Sequence, residues 1–180
     1  MKTTLPTIKF NQFKLREINE LDYVSLFEVG CNKDVCKYLN WGPYKRVFEA
    51  KVAIDSFYLK RPNYGLPVGY AITIDDSLIG VIDYHNYKKL DNSVEIGFFL
   101  KKEYWNQGIM TKALKKAIDI AFNHLEVDKV RCGHIRENIA CEHVILKCNF
   151  KYEEELLEQI EDKTYICKYY SIYKGDYYDK

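Results

Sequence analysis

Residues 93–122, SVEIGFFLKKEYWNQGIMTKALKKAIDIAF, change hydrophobic period partway along, and that change narrows the folds open to the chain. In 93–100, Val94, Ile96, Phe98 and Leu100 alternate with Ser93, Glu95, Gly97 and Phe99, a strand's period of two. Further on, Ile109, Ala113, Ala117 and Phe122 join Met110, Leu114, Ile118 and Ala121 in one apolar helical stripe. Between them, 101–108 is polar and ends on its only glycine, Gly108. The spacing predicts strand, tight loop and helix. At the helix start, backbone N–H groups lack intrahelical partners and the dipole is positive, which makes a ready anion site.

The other segments fall into place around this unit. Residues 7–18 read as a first strand with Phe10, Phe13 and Leu15, and Asn19 caps a short helix to about Val29. Residues 31–44 form a loop carrying Trp41, Gly42, Pro43 and Tyr44. Residues 46–60 form a second helix, with Val47, Val52, Ile54 and Phe57 or Tyr58 as buried contacts, and RPNYGLP ends it. Strands are predicted at 68–74 and 78–87 around the turn 75–77, and 88–92 turns into the strand at 93. After the central helix come a connection at 125–128, a strand at 129–135 and a helix at 139–148 capped by Asn138. Asn149 then takes the left-handed C′ position, and strands at 150–158 and 164–173 close the chain. The fold class is α/β: a mixed, mostly antiparallel sheet of about seven strands with helices on both faces. No repeat or linker divides 1–180, so one domain is expected.

A formal net charge of +1 gives no global field toward nucleic acid or an acidic membrane. The six cysteines include no C-x-x-C pair, and Cys141 with His143 lacks a second spaced pair, so no metal site is predicted. The opening MKTTLPTIKFNQF has no apolar core of signal-peptide length, and no run approaches a membrane span. A cytoplasmic protein with reduced thiols is expected.

The strings EIGFFL at 95–100, YWNQGIMTKAL at 104–114 and RENIACEHVILKCNF at 136–150, in this order, resemble the GNAT family of acetyl-coenzyme A dependent N-acetyltransferases. FKLREI at 13–18 and the tryptophan loop at Trp41 add weaker support, and the likeness spans nearly the whole chain. The branch most similar is the one that acetylates ribosomal-protein N-termini, the RimJ/RimL-like enzymes. The resemblance implies acetyl-CoA as co-substrate, with its pyrophosphate on the loop opening the central helix: the N–H groups of Gln107, Gly108, Ile109, Met110 and Thr111, with the Thr111 hydroxyl. It implies that the strand at 95–100 splays from 129–135. The pantetheine arm then enters between them and pairs with backbone near Phe98, Phe99 and Leu100. Asn138 is assigned to the arm or acetyl end, to a plain N-cap, or to both. Cys141 stands where this branch usually has Ser. Met110 departs from the family's Gly or Ala, so its side chain has to turn into the core. Lys101, Lys102 and Lys112 are the cations assigned to a 3′-phosphate, while Lys115 and Lys116 read as a solvated face.

An amine attacks a thioester only when neutral. A lysine-type amine has a pKa of about 10.4 and an α-amino group about 8, so the second needs little help near neutral pH. Positioning and an N–H donor to the carbonyl oxygen then supply most of the catalysis. Glu95 is the candidate base, directly or through a water; a strand carboxylate paired with a nearby cation is the equal alternative. The general-acid tyrosine of many relatives aligns with Ile145, which donates no proton. Trp41, Tyr44, Tyr84 and His134 are assigned by position to the acceptor pocket, and His85 also flanks it. For both histidines a packed, hydrogen-bonded role competes. The expected function is acetyl transfer to a protein N-terminus or a small-molecule amine, by a monomer or homodimer without nucleic-acid or membrane partners. The alternative is a non-catalytic CoA-binding relative.

Overall fold

The structure, a computed structural model, describes residues 2–160 and 162–178. The elements are β1 (Ile8–Phe10), β2 (Phe13–Glu17), α1 (Tyr23–Gly30), α2 (Lys33–Cys36), α3 (Val47–Ala53), β3 (Tyr70–Ile74), β4 (Ser77–Lys88) and β5 (Ser93–Leu100). They continue with α4 (Ile109–Asn123), β6 (Lys129–Ile135), α5 (Ile139–Lys147), β7 (Lys151–Ile160), β8 (Lys163–Tyr173) and α6 (Lys174–Tyr178). Among the described residues one eight-stranded sheet runs in the order β1-β2-β3-β4-β5-β6-β8-β7. Its neighbouring strands are antiparallel except β5 and β6. A parallel pair needs a crossover, and α4 supplies it.

The strand count exceeds the expected seven because residues 7–18 are a hairpin rather than one strand. Asn11 takes φ +50°, and Phe10 lies opposite Phe13 across a two-residue turn. Asparagine is among the few residues that enter this region readily. Asn19 does cap: its side chain accepts from the Leu21 N–H at 2.9 Å, while its own N–H donates to Asp22. That reciprocal box opens a 3₁₀ turn that runs into α1.

The stretch 46–60 is helical, yet Val47, Val52 and Phe57 stay exposed while Ala50, Ile54 and Tyr58 are buried. The chain widens to a π turn at Ile54–Tyr58, where the Leu59 N–H reaches back five residues to the Ile54 carbonyl. Tyr58, four residues on, shares the buried face of Ile54, and Phe57 points outward. The expected loop at 31–44 also contains the helical turn α2.

Two apolar layers sandwich the sheet. On one face α4 buries all eight residues of its predicted stripe against Ile82, Tyr84, Val94, Ile96 and Val130. On the other, Leu26, Val29, Ala50 and Ile54 of α1 and α3 pack on Ala71, Val81 and Phe99. Leu114, fully buried on α4, fixes that helix and its N-terminus against the sheet. Leu114→Ala is expected to cost about 2–5 kcal/mol in urea unfolding. The exposed Lys116→Ala is expected to stay within about 0.5 kcal/mol of the parent. A Leu114→Ala loss no larger than that of Lys116→Ala contradicts this packing.

Candidate active site

The sheet has one discontinuity that concentrates chemistry. β5 pairs with β4 from Ser93 to Leu100, but with β6 it pairs only at Ser93↔Lys129, Val94↔Val130 and Glu95↔Arg131. Past Glu95 the two strands part, while β6 stays paired with β8 as far as Ile135. The β6-facing backbone donors and acceptors of 96–100 are therefore left outside any ladder. Such groups need partners.

The loop after β5 is held at both ends. The Lys101 N–H donates to the Ile79 carbonyl at 2.7 Å, and the Trp105 indole Nε1–H donates to the Leu100 carbonyl at 2.7 Å. Asn106 and Gly108 then take φ of +59° and +70°, which turns the chain directly into α4. No side chain caps α4, and its first intrahelical bond runs from the Lys112 N–H to the Gly108 carbonyl. The N–H groups of Ile109, Met110 and Thr111 are thus the free donors of the helix end. A Cβ placed on Gly108 meets nothing within 4 Å, so the turn leading into α4 is open to solvent at this point. Met110 turns its side chain into the core and leaves only its backbone at the mouth.

Strand split and helix start together border a cleft of about 650 Å³. Phe98, Phe99, Leu100, Gly108, Ile109, Met110, Thr111, Asn138 and Cys141 line it. Gln107 does not; its side-chain amide donates to the Glu103 carbonyl instead. Asn138 Oδ1 accepts from the Cys141 N–H at 3.2 Å, so it is an N-cap standing in the cleft wall. The sequence reading missed Val35, Tyr38 and Leu39, which close the cleft from the region of α2, and Lys37, His143 and Lys147 at its side. Lys102 also lines it and pairs with Asp34 at 2.6 Å; Lys101 pairs with Glu28. The walls are largely apolar with backbone amide edges, and Lys37 and Lys147 add cations to the lining. That donor set fits a long molecule with an amide-bearing arm and a phosphorylated end.

Trp41 and Tyr44 sit beside this cleft. Their rings stack at 5.0 Å, and Trp41 meets Phe99 edge-on at 5.0 Å. Burial pushes the Tyr44 hydroxyl up to about 12. Two expected pocket residues lie elsewhere. Tyr84 is fully buried under α4, its hydroxyl donating to the Ala117 carbonyl at 2.8 Å, because it occupies the α4-facing register of β4. His134 is buried against α5: its ring stacks on Tyr170 and its Nδ1 meets the Ile135 carbonyl at 2.8 Å.

The opposite face of the split carries a row of charges. Glu95 sits at the apex, with Oε1 3.2 Å from Arg131 Nη1 and Oε2 accepting from Asn86 Nδ2 at 3.0 Å. Arg131 also binds Glu153 and Glu154 and lies 4.7 Å over the Tyr169 ring. Toward β4, His85 Nε2 is 3.7 Å from Glu95 Oε2, and His85 Nδ1 is 2.8 Å from Asp83 Oδ1. Asp83 in turn pairs with the buried Arg61 at 3.2 Å. Burial opposes the Asp83 charge, but the bond to His85 and the charge of Arg61 outweigh it and hold the carboxyl below its usual range. The paired-carboxylate alternative for Glu95 matches this geometry. Among the described residues no cluster of three or more His, Cys, Asp or Glu side chains is placed to hold a metal ion.

Residues 12–151 match the family described as Acetyltransferase (GNAT) domain. The chain is 24% identical over 172 residues to the uncharacterized N-acetyltransferase YoaA of Bacillus subtilis, covering 94% of this chain and 97% of that protein. It is 24% identical over 146 residues to spermidine N(1)-acetyltransferase of Escherichia coli, covering 81% and 76%. The structure of RimL, a ribosomal L7/L12 α-N-protein acetyltransferase in complex with coenzyme A, superposes with a TM-score of 0.83 at 17% identity, covering 95% of this chain and 99% of that one.

Gly108→Val meets open space but strains a backbone at φ +70°, so it shifts the turn that aims the α4 donors. Losing one charge-assisted backbone bond costs about 1.5–3 kcal/mol. Coenzyme A binding, measured by calorimetry, is therefore expected to weaken about ten- to hundredfold. An unchanged affinity with a folded variant contradicts the assignment of this helix end.

Proposed function

The chain belongs to the GNAT family of acetyltransferases as an acetyl-CoA-dependent N-acetyltransferase, and from that premise we propose that it is of the RimJ/RimL-like branch and acetylates a primary amine by direct attack in a ternary complex. The acceptor is a protein N-terminus or a small-molecule amine. The observation that carries this reading is the β5–β6 ladder that stops at Glu95↔Arg131 beside an uncapped helix start. One end of that gap suits phosphates and its edge suits an amide-bearing arm. When bound, acetyl-CoA supplies the acyl group and the thiolate leaving group.

The residues divide the remaining work. The N–H groups of 109–111 hold phosphate at the positive end of α4. The backbone of Phe98–Leu100 orients the arm as an added strand, and Asn138 and Cys141 border its reactive end. Trp41 and Tyr44 wall the acceptor side. Glu95, with both oxygens engaged, presents a fixed negative charge that draws a cationic amine toward the apex of the split. Tyr104 and Tyr38 line the cleft and bring phenols to it in the absence of a tyrosine at 145, where Ile145 is fully buried.

Thiol release from acetyl-CoA, followed with spermidine, spermine, lysine and peptides with a free N-terminal alanine or serine, tests this. Turnover of at least one amine is expected. Acetyl-CoA binding without thiol release to any of them favours the non-catalytic CoA-binding alternative. Absence of binding removes both.

A further inference from the structure

We propose that His85, oriented by Asp83 and facing Glu95, is the base that deprotonates the incoming ammonium group. The proposal rests on the acetyltransferase reading of the cleft and adds to it a catalytic residue and its positioning partner.

The three residues are placed by strand register. On the face opposite α4, His85 lies across from Glu95 and Asp83 across from Gly97. A Cβ on Gly97 meets His85 Cε1 at 3.0 Å and Asp83 Oδ1 at 3.3 Å, so the imidazole rests over the glycine backbone. Gly97 is the second residue beyond the last β5–β6 pair and adjoins Phe98 of the cleft wall. His85 therefore stands at the apex of the split, over the backbone that borders it. Its side chain keeps 34% of its surface accessible, against 11% for Glu95 and 13% for Asp83. Of the three it is the one an acceptor reaches.

The surroundings set its tautomer. Asp83 is ionised, since Arg61 Nη2 lies 3.2 Å from its Oδ2. An ionised carboxylate only accepts, so His85 donates through Nδ1–H and leaves the lone pair on Nε2. That nitrogen faces Glu95 Oε2 at 3.7 Å, longer than a direct hydrogen bond. The charged and titratable groups around the ring are Asp83 on β4, Glu95 on β5, Arg61 behind Asp83 and Arg131 behind Glu95. The two nearest are anionic, so the charge that arises on proton transfer lies between Asp83 at 2.8 Å and Glu95 at 3.7 Å. Glu95 is the poorer base, because Arg131 and Asn86 occupy its oxygens. The layout is that of a base held by a buried carboxylate.

The R–NH₃⁺ group gives one proton to His85 Nε2, and the freed amine attacks the thioester carbonyl carbon. The C–N bond forms and the C–S bond breaks. Sulfur leaves with the electron pair and takes up the second proton lost from nitrogen. The products are the amide, the CoA thiol and one proton, released from the accessible imidazole to solvent.

The test measures kcat/KM against pH with acetyl-CoA and two probes, spermidine and a peptide with a free N-terminal alanine. It compares the wild type with His85→Gln, His85→Ala and Glu95→Gln. Acetyl-CoA affinity is measured in parallel by calorimetry. The ¹⁵N shifts of the His85 ring are read in the free protein. General-base removal typically costs about 10²–10⁴-fold. His85→Gln is expected to lose about 10²-fold or more in kcat/KM and to lose the acid limb of the wild-type profile. Its acetyl-CoA affinity is expected to stay within about twofold, well under the tenfold that 1.4 kcal/mol represents. Added imidazole is expected to restore part of the activity of His85→Ala. Glu95→Gln is expected to lower the rate while keeping that limb, and the ring shifts to report an Nδ1-protonated neutral form. An unchanged limb in His85→Gln, an Nε2-protonated ring, or a loss matched by equal loss of acetyl-CoA affinity overturns the proposal. A wild-type protein that binds acetyl-CoA but releases no thiol overturns the acetyltransfer reading itself, and this proposal with it.

Discussion

The parallel ladder between β5 and β6 stops after three residue pairs, and the site depends on that interruption. Each strand is committed elsewhere: β5 to β4 along its length, β6 to β8 as far as Ile135. Neither is free to follow the other, so an edge of backbone amides opens inside the sheet rather than at its rim. An exposed outer edge invites unwanted pairing. An inner one, walled by α4 and α5, admits only something that fits between.

The apex of the opening is pinned by charge. Arg131 bridges Glu95 on one side and Glu153 and Glu154 on the other, so the last paired residue of β5 is tied across β6 to the β7 hairpin. Burial opposes the guanidinium charge, yet bonding to Glu153 and the further charges of Glu95 and Glu154 outweigh it. Removing one member of such a network strands the others in a poorly solvated site. The same network occupies the oxygens of Glu95. The chemistry of that face therefore shifts to the accessible ring of His85, and Glu95 acts as the charge that ring faces.

Much of this was legible from the residue pattern because period and burial coincide along 93–122. Every residue of the α4 stripe is buried, and the positive φ of Gly108 follows from its place between strand and helix. What escaped the pattern depends on neighbours distant in sequence. Tyr84 reads like any strand-face tyrosine; only the strand register shows that it faces α4 and not the acceptor side. Val35, Tyr38 and Leu39 reach the cleft because a helical turn interrupts a stretch with no periodicity of its own. The Asp83–His85–Glu95 row spans two strands of a hairpin, so no local string announces it. The hairpin at 8–17 was hidden by a turn of Asn11 and Gln12 that carries neither glycine nor proline.

The most direct test of the central claim is a crystal structure of the protein grown with coenzyme A. The account predicts the diphosphate within hydrogen-bond reach of the backbone N–H groups at 109–111 and the pantetheine arm running between β5 and β6 beyond Glu95. Coenzyme A bound elsewhere, or a β5–β6 ladder that continues past Glu95↔Arg131 and closes the gap, contradicts it.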